Sequence, residues 1–320
     1  MRATFSSLLT QLAISDPKVL LLTGDHGYAL FDEFRKACPS QYINAGIAEQ
    51  NMVGMAAGLA KVGFKPFVYG LSAFVPVRVV EQIKIDIAHD GLPVILIGDG
   101  AGFVYSHLGT SHQSTEDIAC TRSIPNLVVM SPADRFELEA CMMLAYRSGY
   151  STYLRMGKAD LGDVHSESIS EEVVKSPISI TKSKILMEEG KKNNKDSSVV
   201  IFASGSMVKT AIILANERYS DARVFSLAML KPLDEEFVRS LCLESKAIIV
   251  MEEHSIIGGI SSAILEAFSS IGCPPLLRIG VTDRFSKFCG SYDYLLQEHG
   301  LSADLVIKKI DKFLDEVARL

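Results

Sequence analysis

Short aliphatic runs closed by turn residues recur through the first half of the chain: KVLLL (18–22), PFVYG (66–70), PVILI (93–97), NLVVM (126–130) and TYLRM (152–156). Segments of helical length and pattern lie between several of them, at 46–61, 74–89 and 133–147. Runs this short and apolar suit strands buried on both faces, and their alternation with helices is the pattern of a largely parallel, doubly wound α/β sheet. Between about 158 and 198 the text turns rich in charge and serine, KADLGDVHSESISEEVVKS and later MEEGKKNNKDSS. This reads as a linker contributing strands at its edges. The α/β pattern then resumes with SVVIFASG (198–205), ARVFSL (222–227), AIIVMEE (247–253) and LLRIG (276–280). The expected organisation is a first doubly wound domain over 1–165, a linker over 166–197 and a second, smaller α/β domain over 198–320.

Composition supports this reading, since 320 residues with 48% hydrophobic and 22% charged content fill two such domains around a large core. The net charge of −6 gives no overall attraction to nucleic acid or to an anionic membrane. An anionic small substrate would need a local basic pocket. The six cysteines (38, 120, 141, 242, 273 and 289) are far apart, without CxxC or zinc spacing, so reduced thiols and a cytoplasmic location are expected. The first residues, MRATFSSLLTQLAISDPKVLLLTGDHG, carry no A-x-A cleavage site and read as the start of the fold.

The stretch INAGIAEQNMVGMAAGLAKVGFKPFV (43–68) leads from a glycine turn into a helix with Glu49 in its first turn. Its small residues Gly54, Ala56, Ala57, Gly58 and Ala60 allow another helix or subunit to approach closely. Interaction with the helix dipole alone accounts for an acidic residue at such a position. The run GIAEQNMVGMAAGLA resembles the transketolase family and its relative 1-deoxyxylulose-5-phosphate synthase. So do YGLSAFVPVRVVEQI, GTSHQSTEDIACTRSIPNLVVMSPAD and LKPLDEEFV followed by AIIVMEEHSIIGGISSAI. The resemblance spans nearly the whole chain, but only to the C-terminal half of those enzymes, a pyrimidine-binding domain followed by the transketolase C-terminal domain. It implies the small subunit of a split transketolase. Thiamine diphosphate would bind by its pyrimidine end here, with its diphosphate and Mg²⁺ on a large partner subunit. An α2β2 assembly around a homodimeric small-subunit core is implied as well.

The resemblance also assigns roles. Glu49 would hydrogen-bond N1′ of the aminopyrimidine and favour the imino tautomer that takes the proton from thiazolium C2. Ile47, Ala48, Met52 and Val53 would give it the apolar, closed setting that raises a carboxyl pKa. Phe74 would stack on the pyrimidine, with Ile47 and Asp25 close to the cofactor. His112, in GTSHQ, would face the substrate and Arg155 its phosphate. Arg78 reads equally as a subunit-interface salt bridge or a substrate contact. The family pattern is broken at Leu108, where an acidic residue is usual, at Gly100, where a histidine falls, at Ala29 in place of a serine and at Val80 in place of a tyrosine. His107 and His26 are the candidate replacements among substrate-reading groups. Glu252, Glu253 and His254 are expected to be structural.

The triplet Gly98-Asp99-Gly100, followed by Asn126, imitates the pair with which thiamine enzymes hold Mg²⁺. The resemblance instead places it in the pyrimidine domain, as a loop on the substrate side, and no metal ligand is assigned. Two other readings remain open. One is a 2-oxo-acid decarboxylating or acyloin-forming thiamine enzyme, similar to deoxyxylulose-phosphate synthase or to oxo-acid dehydrogenase beta subunits. The other is a non-catalytic interaction subunit.

Overall fold

Strand β1 (Val19–Thr23) is buried along its whole length. Its pleat sends Leu20 and Leu22 into one apolar cluster and Val19 and Leu21 into another. A strand apolar on both faces needs helices on both sides, which is how the first half of the chain is built. The computed structural model describes residues 1–158, 160–180, 199–243 and 245–319. The lysine-rich part of the expected linker therefore lies outside the described residues.

The first sheet contains β1, β2 (Tyr42–Asn44), β3 (Lys65–Leu71), β4 (Ile95–Asp99), β5 (Val128–Met130), β6 (Thr152–Met156) and β10 (Met229–Lys231) in the order β10-β5-β6-β4-β3-β1-β2. Its pairs are parallel except for β10, which lies antiparallel on β5. The second sheet contains β7 (Ile178–Ser179), β8 (Val199–Ala203), β9 (Arg223–Ser226), β11 (Ala247–Ser255) and β12 (Leu276–Val281) in the order β12-β11-β8-β9-β7. It is parallel apart from the edge strand β7. The chain is thus α/β with two parallel-dominated sheets. β10 follows β9 in sequence yet completes the first sheet, and one apolar cluster runs from Ile118 and Val129 to Leu227, Leu230, Ile260 and Ile264. The two sheets share a core.

Helix α1 (Arg2–Ser15) buries Phe5, Leu9, Leu12 and Ala13, a stripe at helical spacing. Helix α2 (Asp32–Ala37) packs against it, and α3 (Glu49–Lys61) packs Met52, Val53, Ala56, Ala57 and Ala60 against the first sheet. The expected helix over 74–89 is broken into a 3₁₀ turn at Val77–Val79, a short α4 (Val80–Gln82) and a π-helical turn at Ile83–Ala88. Pro76 cannot donate, and the β-branched residues that follow it lose rotamer freedom in a regular helix. Helices α5 (Asp117–Arg122) and α6 (Arg135–Ser148) complete the first unit.

Register aligns the carboxyl ends of the strands. Thr23 pairs with Asn44, Leu71 with Asp99, and Asp99 with Met156. Strand order reverses between β1 and β3, because β2 lies outward of β1 while β4 lies beyond β3. A crevice at the carboxyl side of such a switch point is where α/β sheets bind ligands.

Candidate active site at the carboxyl edge of the first sheet

Glu49 is the first residue of α3 and is only 3% exposed. Its Oε2 accepts a hydrogen bond from Arg78 Nη1 at 3.0 Å, whereas Oε1 is buried without a partner. The loop before it is tied to the end of β1 by Asn44, whose Oδ1 accepts from the backbone of both Asp25 (3.1 Å) and Gly46 (2.9 Å). Both turns need a left-handed residue, with φ of 63° at Asp25 and 71° at Gly46. An aspartate tolerates that conformation better than most side chains. Met52 and Val53 are fully buried beneath the carboxylate's helix. Ile47 departs from the expected closed setting. Its side chain is 78% exposed, because the loop turns it outward before the helix starts.

Four of the other expected residues meet around one ring. The Arg78 guanidinium carbon lies 4.1 Å from the Phe74 ring centroid, the His112 ring meets Phe74 edge-on at 5.3 Å, and the His26 ring tilts against it at 6.2 Å. They come from the segments after β1, β3 and β4, which the sheet brings to one edge. Arg78 thus pairs with Glu49 within this chain, an arrangement that neither sequence reading of it anticipated. His112 Nδ1 lies 3.0 Å from Ser111 Oγ, and His26 Nε2 is buried with no partner. His107 is exposed on the turn Ser106–Leu108, outside this ring cluster.

Beside His26 an open cavity of about 430 Å³ is lined by Arg2, Asp25, Tyr28, Tyr69, Asp99 and Tyr105, among others. Arg2 holds Asp99 with two bonds (2.9 and 2.6 Å), while the Tyr69 and Tyr105 hydroxyls each donate to Asp99 Oδ2 at 2.9 Å. This pairing, together with neighbouring tyrosines, outweighs the burial of Arg2 and raises its pKa. The carboxylate of the GDG triplet is therefore committed to an internal ion pair. Asn126 caps a different place, donating to Ala88 O at 3.2 Å. A side chain on Gly100 would run into the Tyr105 ring. Arg2 was missed in the sequence because one basic residue at a helix start carries no local signal.

Arg155 is not with the others. It is 2% exposed and bonds Asp117 Oδ2 through Nε at 2.8 Å and the Glu253 carbonyl through Nη2 at 2.9 Å. Tyr153 donates to the same Asp117 oxygen at 2.7 Å. Here Arg155, expected to meet a substrate phosphate, faces internal partners and not the ring cluster or the cavity. Its guanidinium joins β6 to α5 and to the second sheet.

The second unit also holds the loop that carries Tyr105 and His112. Glu253, buried at the end of β11, accepts from Phe103 N at 2.6 Å, from Tyr292 at 2.5 Å and from Ser206. Burial nevertheless raises its pKa. A side chain at Gly102 would collide with this carboxylate. Ser286 donates to Gln113 Oε1 at 2.8 Å, and His299 stacks on Phe103 at 4.7 Å.

A buried carboxylate with one free oxygen beside an aromatic ring and two imidazoles can grip a flat nitrogen heterocycle and exchange a proton with it. Known proteins carry the same two domains. The family model for the transketolase pyrimidine binding domain matches residues 1–163, and that for the transketolase C-terminal domain matches residues 188–306. The chain belongs to the transketolase family. It is 32% identical to the 6-deoxy-6-sulfo-D-fructose transketolase subunit of a Clostridium species, over 96% of this chain and 92% of that one. It is 30% identical to one of the subunits of the apulose-4-phosphate transketolase of Phocaeicola vulgatus, over 98% of this chain and 97% of that one. The 1-deoxy-D-xylulose-5-phosphate synthase of Shewanella denitrificans matches 98% of this chain at 33% identity, but the match spans only 48% of that enzyme. A solved split-gene transketolase, an inactive β4 tetramer, superposes with a TM-score of 0.83 at 32% identity over 98% of each chain. The likeness to family members is to their C-terminal half, as in the small subunit of a split transketolase.

Proposed function

We propose that the chain is the small subunit of a two-subunit transketolase that moves a two-carbon ketol unit from a ketose to an aldehyde, with thiamine diphosphate bound where the subunits meet. One observation carries this reading: Glu49 Oε1 is buried without a partner in a wall that also presents the Phe74 ring. A buried polar atom left unpaired costs about 1–3 kcal/mol. A ring nitrogen of an aminopyrimidine stacked on Phe74 would satisfy it, so the residues fit the group. When bound, thiamine diphosphate supplies the electron sink that cleavage of a C–C bond beside a carbonyl requires.

The chain's own residues do the rest at this end. Phe74 holds the pyrimidine by stacking, and Glu49 exchanges a proton with its ring nitrogen. His112 and His26 face the same ring and hydrogen-bond substrate oxygens. The cavity beyond His26 takes the body of the sugar, with Arg2 and Tyr105 offering polar contacts. The donor class proposed is a phosphorylated or otherwise modified ketose, as two relatives' names suggest for those proteins. The diphosphate and Mg²⁺ fall to the large subunit. An α2β2 assembly and a cytoplasmic setting accord with a site at a subunit interface and with six free thiols.

The test is a donor and acceptor screen of the chain mixed with a diphosphate-binding transketolase half, thiamine diphosphate and Mg²⁺. Ketol transfer from a ketose is expected. The likeness to 1-deoxy-D-xylulose-5-phosphate synthase favours a second reading, decarboxylation of a 2-oxo acid, and release of CO₂ in the same screen would reverse the order of the two.

A further inference from the structure

We infer that Arg78 is a built-in competitor of the cofactor's aminopyrimidine: its guanidinium pairs with the Glu49 carboxylate through the oxygen beside the free one and lies over the Phe74 ring, and cofactor binding displaces it. The inference rests on the thiamine reading of the site and adds a competitor to it. A guanidinium is a flat, delocalised cation whose N–H groups bond carboxylates and whose face stacks on aromatic rings. Arg78 uses both properties at once. Nη1 donates to Glu49 Oε2 at 3.0 Å while the guanidinium carbon lies 4.1 Å from the Phe74 centroid. A planar group that bonds the Glu49 carboxylate and stacks on the face of Phe74 that Arg78 covers competes with this guanidinium for both.

The contact also explains how Glu49 is kept in place. The carboxylate is buried, with a side-chain exposure of 4%, and a buried charge without a partner is costly. Arg78 supplies the partner from a side chain that is 44% exposed, so the pair is open to solvent on the arginine's side. The apparent affinity for cofactor is then the intrinsic affinity reduced by the fraction of chains in which Arg78 has left. Arg78 contributes to the order of the free site and opposes its filling.

The experiment compares the assembled two-subunit complex carrying wild-type chain, Arg78→Met and Arg78→Lys. Binding of thiamine diphosphate with Mg²⁺ is measured by titration calorimetry, so the readout is affinity and not turnover. Arg78→Met keeps the stem and removes the planar cation, and it is expected to bind cofactor about tenfold more tightly, equivalent to about 1.4 kcal/mol. Arg78→Lys is expected to fall between it and wild type, because an ammonium pairs with Glu49 without stacking as a plane. In a Glu49→Gln background the gain from Arg78→Met is expected to vanish. Unchanged or weaker binding by Arg78→Met, or a gain that persists in the Glu49→Gln background, overturns the inference. If the wild-type complex binds no thiamine diphosphate, it is the functional reading that fails.

Discussion

Glu49 combines a burial cost with a chemical task, and the two are separable by substitution. Glu49→Gln removes the buried charge while keeping the shape, so the melting temperature is expected to hold or rise, while ketol transfer by the complex falls about 10²–10⁴-fold. Parallel melting curves and rates check this, and near-normal turnover would remove Glu49 from the chemistry. Arg155 behaves in the opposite way. Arg155→Met leaves Asp117 buried without its charge partner and is expected to cost about 3–5 kcal/mol, read as a lower denaturation midpoint. A variant that melts normally and loses only substrate affinity would restore the phosphate-contact reading. Glu49, Phe74, His26 and His112 were named from the sequence through the short stretches that hold them, and the structure brings Phe74, His26 and His112 together beside the Arg78 that pairs with Glu49. The partners of the two arginines were not legible there, since Glu49 lies 29 residues from Arg78 and Asp117 lies 38 from Arg155.

The strands and turns were read more reliably than the way elements hold one another. Aliphatic runs announced most of the strands, but β10 is three residues long and its pairing with β5 is set by tertiary contact. Glu253 was expected to be structural without a stated partner, and its carboxylate holds the turn at Phe103 from the other sheet. Glu253→Ala frees that turn, and kcat/KM for the ketose is expected to fall about 10–100-fold, mainly through KM, with cofactor affinity little changed. Equal losses in both would mean that the whole site collapses. The start of α6 makes a pH prediction. Asp134 caps it, and despite burial its bonds to His165 and to backbone N–H groups of Glu137, Val164 and His165 lower its pKa to about 2. Burial pushes Glu137 up to about 7 from 4.5, and Asp134 and Glu137 outweigh the effect of burial on His165 and raise it above 6.5. The folded chain therefore holds protons that the unfolded chain has released, and this cluster's contribution declines as pH rises from about 4.5 through 7. Asp134 gives the reverse limb, losing stability as pH falls from about 4 to about 2. Melting temperature against pH should show a decline above pH 5 that flattens in Glu137→Gln; an unaltered slope would contradict this assignment.

At the scale of the molecule, the first sheet gathers Glu49, the Phe74 ring, two imidazoles and a cavity of about 430 Å³ at one edge, and the second sheet braces the loop that bears His112 and Tyr105. The family match covers both units, while family enzymes such as 1-deoxy-D-xylulose-5-phosphate synthase are about twice as long. The central claim is that catalysis needs a second polypeptide to grip the diphosphate. The most direct measurement is the rate of ketol transfer from a productive ketose donor with thiamine diphosphate and Mg²⁺ present. It compares the purified chain alone, the chain with its diphosphate-binding partner, and the Glu49→Gln chain with that partner. Full turnover is expected only in the second mixture, with none from the chain alone and a rate about 10²–10⁴-fold lower in the third. Comparable turnover by the chain alone would contradict the account.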